Sequence, residues 1–465
     1  MNIKPTRERF LRTAGAVAST AIIGSSVMNG GVALGATPYV RPDIGGLNAS
    51  DPIILSYRQA ITAMMALPAT DPRSWAYQAA IHSTTSMQNM TAWNTCQHGN
   101  YYFWSWHRMY MYWFERIVRK MSGNSNWTLP YWNWTSSSER HLPAMFRDPA
   151  SELYTSHRNS AMNNGSGSLP ASYVSYANAF NFVDFTSASG SLEGTPHGAV
   201  HVGVGGWMGS VPTAAQDPIF YLHHCNMDRL WNLWLAQQGG RADPLDDDAW
   251  KNTQWTFFNE NGAAVHMTGC SVLRAAQQLN YGYEGEPPQV LQNCRKFGPL
   301  PTLYTESIRL QIRHEVLGPQ PVSFPLFEVK AMRQRLRSII SSTTQTLLLE
   351  FDDVVADRQP GVVWEVYVGL PANAPANPES PFYVGNLAMF GSGIRSNAHR
   401  FQPAKFAYAI NRAVLASFRL NEESVSATLV PRGILVNGKP STPDVLSPVR
   451  IGQVNLLVRS QQPRP

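Results

Sequence analysis

Two hydrophobic periodicities divide the chain. Up to about residue 285, apolar positions recur at threes and fours, as on one face of a helix. Beyond 300 they come in short runs of β-branched and aromatic residues parted by turn signals. The strongest helix is expected from Tyr101 to Met121. There His107, Tyr110, Phe114, Ile117 and Met121 share a face, and Ser122-Gly123 ends the run. Glu115 and Arg119 are spaced to pair on its outer side. A second helix is expected after Asp217-Pro218, a cap followed by proline at the first helical position. Thr195-Pro196 repeats that start before His197 and His201. Ser74 to Ser83 places Trp75, Ala79 and His82 at helical spacing. Cys96-Gln97-His98-Gly99-Asn100 reads as a loop, and Pro130 to Trp134 as an aromatic turn. Residues 135–190, rich in Ser, Asn and Gly, read as long surface loops.

The later runs are Leu347–Phe351, Val362–Val368, Phe382–Val384, Val425–Val430 and Val454–Val458. Asp357 to Gly361 and Gly391-Ser-Gly393 are turn signals between them. A β-sandwich-like second domain is expected. The expected division is a leader over 1–36, a mainly α domain over 37–285, a linker over 286–300 and a β-rich domain over 301–465.

Composition narrows the picture. At 465 residues with 43% hydrophobic and 15% charged positions, the chain is globular and long enough for more than one core. The net charge is +6. Lys4, Arg7, Arg9 and Arg12 stand against Glu8 in residues 1–36, so half of that charge belongs to the leader. The remainder is too mild to argue for nucleic acid, and Lys330, Arg333, Arg335 and Arg337 read as a solvated face. The leader has a basic start, a mild apolar run from Thr13 to Met28, and small residues near Ala36, as an export signal does. That run is too short and too rich in Ser and Gly for a membrane span. Arg7-Glu8-Arg9-Phe10-Leu11 resembles a twin-arginine signal without adjacent arginines, which leaves the route of export open. The protein is expected to be exported, periplasmic or secreted. Four cysteines are too few for a disulfide scaffold. Cys270 and Cys294 could pair in an oxidising compartment.

The chemistry lies in the histidines. His82, His98 and His107 form one group. His197, His201 and His224 form another, with His223 beside it and His141 unplaced. Three neutral imidazoles with no carboxylate or thiolate bind copper or zinc and leave a coordination position open. Zinc would use such a site for hydrolysis, copper for oxygen chemistry. Asp228, four residues after His224, is placed to orient that ring as a carboxylate orients metal-binding histidines.

The motifs His98 with Trp106-His107-Arg108, Pro130-Tyr-Trp-Asn-Trp134, His197-Gly-Ala-Val-His201 and Asp217 to Trp231 resemble the tyrosinase and catechol oxidase (polyphenol oxidase) family of type 3 copper proteins. The region from 300 onward is similar to the plant enzymes, as are Tyr281-Gly-Tyr283 and Arg41. The resemblance suggests a bacterial member with a plant-like C-terminal domain. It implies two copper ions in a four-helix bundle, one held by His82, His98 and His107 and the other by His197, His201 and His224. It implies a thioether between Cys96 and His98, with Cys225 as a core residue. Glu193 matches the residue that orients a water near the second copper; otherwise it is a loop-surface glutamate. Gly198 stands where efficient hydroxylation of monophenols goes with Asn or Asp. Val211 stands at a gate position or is an apolar loop residue, and Phe220 shields the metals or packs the core. The implied activity is oxidation of o-diphenols to o-quinones by O2, with some o-hydroxylation of monophenols such as tyrosine. The C-terminal domain is expected to cover the site. An o-aminophenol oxidase and a haemocyanin-type oxygen carrier are the alternatives. O2 and small phenols are the expected partners; a copper-loading partner and the oligomeric state stay open.

Overall fold

Helix starts follow the caps written in the chain. In α1 (Pro52–Met65) the Asp51 carboxylate accepts from Ile53 N at 2.8 Å. In α2 (Trp75–His82) the Ser74 hydroxyl accepts from Tyr77 N at 3.1 Å. The long α3 (Phe103–Ser122) stops at Gly123, whose φ of 71° suits glycine. Then come α4 (Phe185–Leu192), α5 (Ala199–Val204) and α6 (Ile219–Ala236). Asp217 Oδ1 accepts from Ile219 N at 3.1 Å, as its spacing predicts. Its carboxylate also takes Arg158 at 2.7 and 2.8 Å, with both side chains fully buried. Thr195 is extended as expected ahead of Pro196, yet its hydroxyl makes no hydrogen bond.

The computed structural model describes residues 39–237, 239–286, 303–395, 401–410, 412–417 and 424–461. They belong to one contact unit, Thr37–Pro465. The expected leader, and all of the expected linker but Glu286, lie outside the described residues. Cys270 is in a disulfide; Cys294, expected as its partner, lies outside them too.

Two expectations change. Residues 135–190 are not simply surface loops: Leu142, Phe146, Leu153, Met162 and Leu169 are fully buried. Widely spaced apolar anchors inside polar sequence leave no periodicity to read. Nor is Glu115 on the outside of α3. It pairs with Arg119 at 2.7 Å, but it is 1% exposed because Arg41 reaches it at 2.6 Å.

Arg41 brings the helical region together. The strand Tyr39–Arg41 runs parallel to Tyr281–Tyr283. Its guanidinium lies 3.6 Å over the Tyr281 ring and contacts Asp228 at 3.2 Å. Asp228 also takes Arg108 and accepts from Tyr281 and Tyr283 at 2.5 Å each. Two guanidiniums thus face two carboxylates in a buried cluster.

Nearby, buried Asp243 accepts from Trp231 Nε1 at 3.0 Å, and its second oxygen has no partner. Burial pushes its carboxyl up to about 7, against the charge of Arg108. The folded state therefore holds that proton more tightly than the unfolded chain does. Its contribution to stability is full below about pH 4 and is lost as pH rises through the folded value. Asp243→Asn should flatten the fall in melting temperature between about pH 5 and 8. Equal pH slopes for the two proteins would refute this.

The C-terminal part is two four-stranded antiparallel sheets around a shared apolar core. One orders Tyr383–Ala388, Val363–Val368, Ser424–Arg432 and Val322–Glu328. The other orders Ala404–Ile410, Gln345–Ala356, Val449–Gln461 and Leu303–Leu317. The basic residues 330–337 lie on α7 (Val329–Ser341), which buries Val329, Met332, Leu336 and Ile339. Lys330, Arg333 and Arg337 are exposed, as a solvated face requires.

The sheets dock on the helical part mainly through uncharged contacts. Leu435–Val436 pairs with Gly167–Ser168. Asn386 donates to Ser172 O at 2.7 Å, and Tyr173 donates to Arg432 O at 2.7 Å. One ion pair, Arg459 with Asp184 at 3.0 Å, adds to them.

Candidate metal centre

Seven histidines converge where α2, α3, α5 and α6 meet. Ring centroids are 4.4 Å apart for His107 and His224, which lie nearly parallel. They are 5.3 Å apart for His82 and His98, and 5.4 Å for His98 and His107. In the other group, His197 lies 4.6 Å from His201 and 5.0 Å from His224. His141 stands apart, exposed and bonded to Gly167 O at 2.9 Å.

Backbone carbonyls aim four of the rings. His82 Nδ1 donates to Val211 O at 3.2 Å, and His107 Nδ1 to Phe103 O at 2.8 Å. His197 Nδ1 donates to Glu193 O at 2.9 Å, and His201 Nδ1 to Met208 O at 2.7 Å. A proton held on Nδ1 leaves the Nε2 lone pair free. The Nε2 atoms of His82, His98, His107 and His197 are buried with no protein partner. Burial also holds the imidazoles below the usual histidine range, His98 down to about 3, which keeps them neutral. Buried lone pairs on neutral nitrogen are costly unless something accepts them. This donor set fits a pair of copper ions.

His223 lies in the same cluster; its ring and those of His197, His201 and His224 bring ligand atoms within 4.8 Å of one another. Its Nδ1 nonetheless accepts from Trp134 Nε1 at 3.1 Å. Indole nitrogen only donates, so neutral His223 carries its proton on Nε2 and offers a metal no lone pair there. His224 Nε2 instead faces His201 Nε2 at 3.3 Å. The choice between adjacent histidines, open in the sequence, follows from the position of Trp134.

Asp228 does not orient His224, contrary to the helical-spacing expectation. His224 Nδ1 has no partner. Both Asp228 oxygens are taken up by Arg41, Arg108, Tyr281 and Tyr283. Sharing a helix face brought the two residues near, but the charges across the helix claimed the carboxylate.

The remaining expected residues surround the rings. Cys96 Sγ is 3.5 Å from His98 Nδ1. Cys225 is fully buried in α6. Phe220 packs 4.2 Å from His224 and 4.8 Å from His82, ring to ring. Val211 supplies the carbonyl that aims His82, a role invisible in its side chain. Glu193 is no surface glutamate: it is 5% exposed and accepts from Gly99 N at 2.7 Å. Burial pushes its carboxyl up to about 8, against the pull of that N–H. Gly198 faces the sheets, and a Cβ there would lie 3.2 Å from Ala388 O and 3.4 Å from Phe390 Cβ.

The sequence reading missed Phe390. This residue of the C-terminal part is 3% exposed and stacks on His201 at 3.8 Å with an 8° tilt. It also lies 5.3 Å from His197 and 5.7 Å from His98. Its sole signal was an aromatic just before the Gly391-Ser-Gly393 turn.

The model of the common central domain of tyrosinase matches residues 72–186 and 152–237, and that of the polyphenol oxidase middle domain matches 244–293. A tyrosinase of Hahella sp. (strain CCB-MM4) is 36% identical over 280 residues, which are 49% of this chain and 59% of that protein. A chloroplastic polyphenol oxidase of Malus domestica is 27% identical, covering 81% of this chain and 72% of its own length. The structure of latent apple tyrosinase superposes with a TM-score of 0.66 at 23% identity, covering 91% of this chain and 98% of that one. That likeness is one of fold.

Proposed function

We propose that this chain, which belongs to the tyrosinase and polyphenol oxidase family, oxidises o-diphenols to o-quinones with dioxygen and is closed by its own C-terminal domain. In balance, two diphenols and one O2 give two quinones and two waters. The observation that carries this reading is the set of buried, neutral imidazoles with unpartnered Nε2 atoms. In the proposed catalytic domain, a four-helix bundle would hold two copper ions. His82, His98 and His107 would hold one, and His197, His201 and His224 the other. The bound pair would supply the electron exchange with dioxygen that side chains alone cannot. An oxygen carrier is not favoured, since the relatives carry the names of phenol-oxidising enzymes. An o-aminophenol is held by the same geometry, but no contact singles it out.

The side chains have distinct tasks in this reading. The Nδ1 anchors of His82, His107, His197 and His201 fix the direction of those lone pairs before metal arrives. Phe220 and Phe103 exclude water from the rings; Phe103 lies 4.7 Å from both His107 and His197. A thioether from Cys96 to His98 would fix a ring that no helix holds. Glu193 can take part in removing a phenol proton through a water only when solvent reaches it. In the closed chain burial works against its ionisation. Phe390 occupies the place a phenol ring would take over His201. Gly198, lacking a side chain, offers that water nothing, which favours diphenols over monophenols. We also assign residues 1–36 to export. Among the described residues no helix is long and apolar enough to cross a membrane.

Oxygen uptake tests the reading. Copper-loaded protein cut between residues 286 and 300 should turn over catechol at least about tenfold faster than the intact chain. Its rate on tyrosine should stay well below that on the matching diphenol. An uncut chain that is fully active, or a cut chain that is inactive, would sink the closing role. Two coppers bound with no phenol oxidation in either form would sink the enzyme reading.

A further inference from the structure

His98 differs from the other rings in what holds it. His82, His107, His197 and His201 each give Nδ1–H to a carbonyl of the helical part. His98 and the helix-borne His224 have no such carbonyl; the Nδ1 of His98 faces Cys96 Sγ. His98 also lies in a loop rather than a helix. Besides the rings of His82, His107 and His197, the C-terminal domain packs on it. A Cβ built on Gly391 would sit 2.6 Å from His98 Cγ and 2.8 Å from its Cβ and Cδ2. The bare backbone of Gly391 therefore lies directly against the ring, and its φ of 89° is one glycine tolerates. Beside it, a Cβ on Gly99 would meet Ser392 Cβ at 3.3 Å.

The turn that carries these atoms is itself held firmly. Gly393 N donates to Gln402 O at 2.8 Å, and Ala356 N donates to Gly393 O at 2.8 Å. A Cβ on Gly393 would strike Met389, Val354 O and Ala404, so the turn is packed into its own sheets. On its open side, a cavity of about 120 Å³ is lined by Ser83, Asn94, Cys96, His98, Ser392 and Gln402, among others. Val211 and Pro212, from the short helix Val211–Ala214, also line it.

We propose that the Gly391–Ser392 turn positions His98 as a metal ligand, so that the C-terminal domain retains copper as well as covering the site. This rests on the copper reading above. The turn replaces the missing carbonyl anchor by packing: it confines the ring to one orientation, and a Cβ at residue 391 would press the ring out of it. The copper of His82, His98 and His107 is the one affected. Of the other copper's ligands, His197 and His201 keep their carbonyl anchors within the helical part, and His224 is held on α6. Cys96, whose Sγ is 3.5 Å from His98 Nδ1, shares the task, which ties copper retention and domain closure to His98.

The test uses the intact chain, loaded with copper and dialysed against a chelator. Gly391→Asn is the main variant, because Asn accepts a positive φ at small cost yet places a Cβ against His98. It should release one copper per chain at least tenfold faster than wild type, while the second stays at the wild-type rate. The remaining Cu(II), no longer beside a second ion, should be visible by electron paramagnetic resonance. Gly391→Ala should do the same. Gly385→Ala is the control: it strains the same domain at a φ of 152°, against Tyr408 rather than His98, and should keep both coppers. Wild-type release of both coppers from folded Gly391→Asn would overturn the proposal. So would equal loss of one copper from Gly385→Ala. A wild-type chain that never binds two coppers would instead overturn the reading on which the proposal rests.

Discussion

Phe390→Gly in the intact, copper-loaded chain should raise catechol turnover at least about tenfold. The ring stacks on His201 at 3.8 Å and is almost wholly buried. Deleting a buried phenylalanine side chain removes about 3–5 kcal/mol of packing. A tenfold rate gain needs only about 1.4 kcal/mol, so the gain can exceed tenfold before chemistry limits the rate. The substitution leaves Gly391 in place, so copper per chain should stay at two. The measurement is oxygen uptake at equal copper content. Unchanged turnover would mean that the ring is not the barrier and that the domain closes the site by other contacts. A rise matched by copper loss would contradict the separate tasks given to residues 390 and 391.

The second large effect concerns stability. Asp228→Asn should destabilise the folded chain by about 3–5 kcal/mol, because it leaves two buried guanidiniums, Arg41 and Arg108, short of a carboxylate. For a chain of this size that corresponds to a fall of roughly 3–5 °C in melting temperature. The wild-type protein carries the matching pH signature. Burial alone would raise the Asp228 carboxyl, but the charges of Arg108 and Arg41 hold it below the usual carboxylate range. With the folded value depressed, its contribution is present above about pH 4 and is lost as pH falls through the folded value. Copper per folded chain should be unchanged, since Asp228 does not touch His224. Loss of copper without loss of stability would restore Asp228 as an orienter of that histidine.

These cases show what could be read along the chain. Helix α3 was legible because five apolar-face positions recur with its period and Gly123 stops it. The cap at Asp217 is a local device that the sequence predicted; those at Asp51 and Ser74 are equally local but went unread, and Thr195, expected to cap, does not. The histidine cluster was legible by residue type, since two groups of three imidazoles without thiolate or carboxylate have few other uses. The strands Leu303–Leu317 and Val322–Glu328 were missed because polar residues interrupt their apolar positions. The buried anchors of residues 135–190 were missed because each stands alone among polar neighbours.

What the sequence by itself determined is the histidine inventory, the cap at Asp217 and the change from helical to strand period near residue 300. These depend on residue type and on spacing of a few positions, which the chain carries locally. The tertiary structure alone decided which of two adjacent histidines keeps a lone pair, and that Asp228 serves two arginines rather than His224. It also decided that a phenylalanine and a glycine from a distant domain lie against the same rings. Each of these depends on partners about 90 to almost 300 residues away in the chain. Hydrogen bonds and close packing act over a few ångströms of space, whatever the separation in sequence.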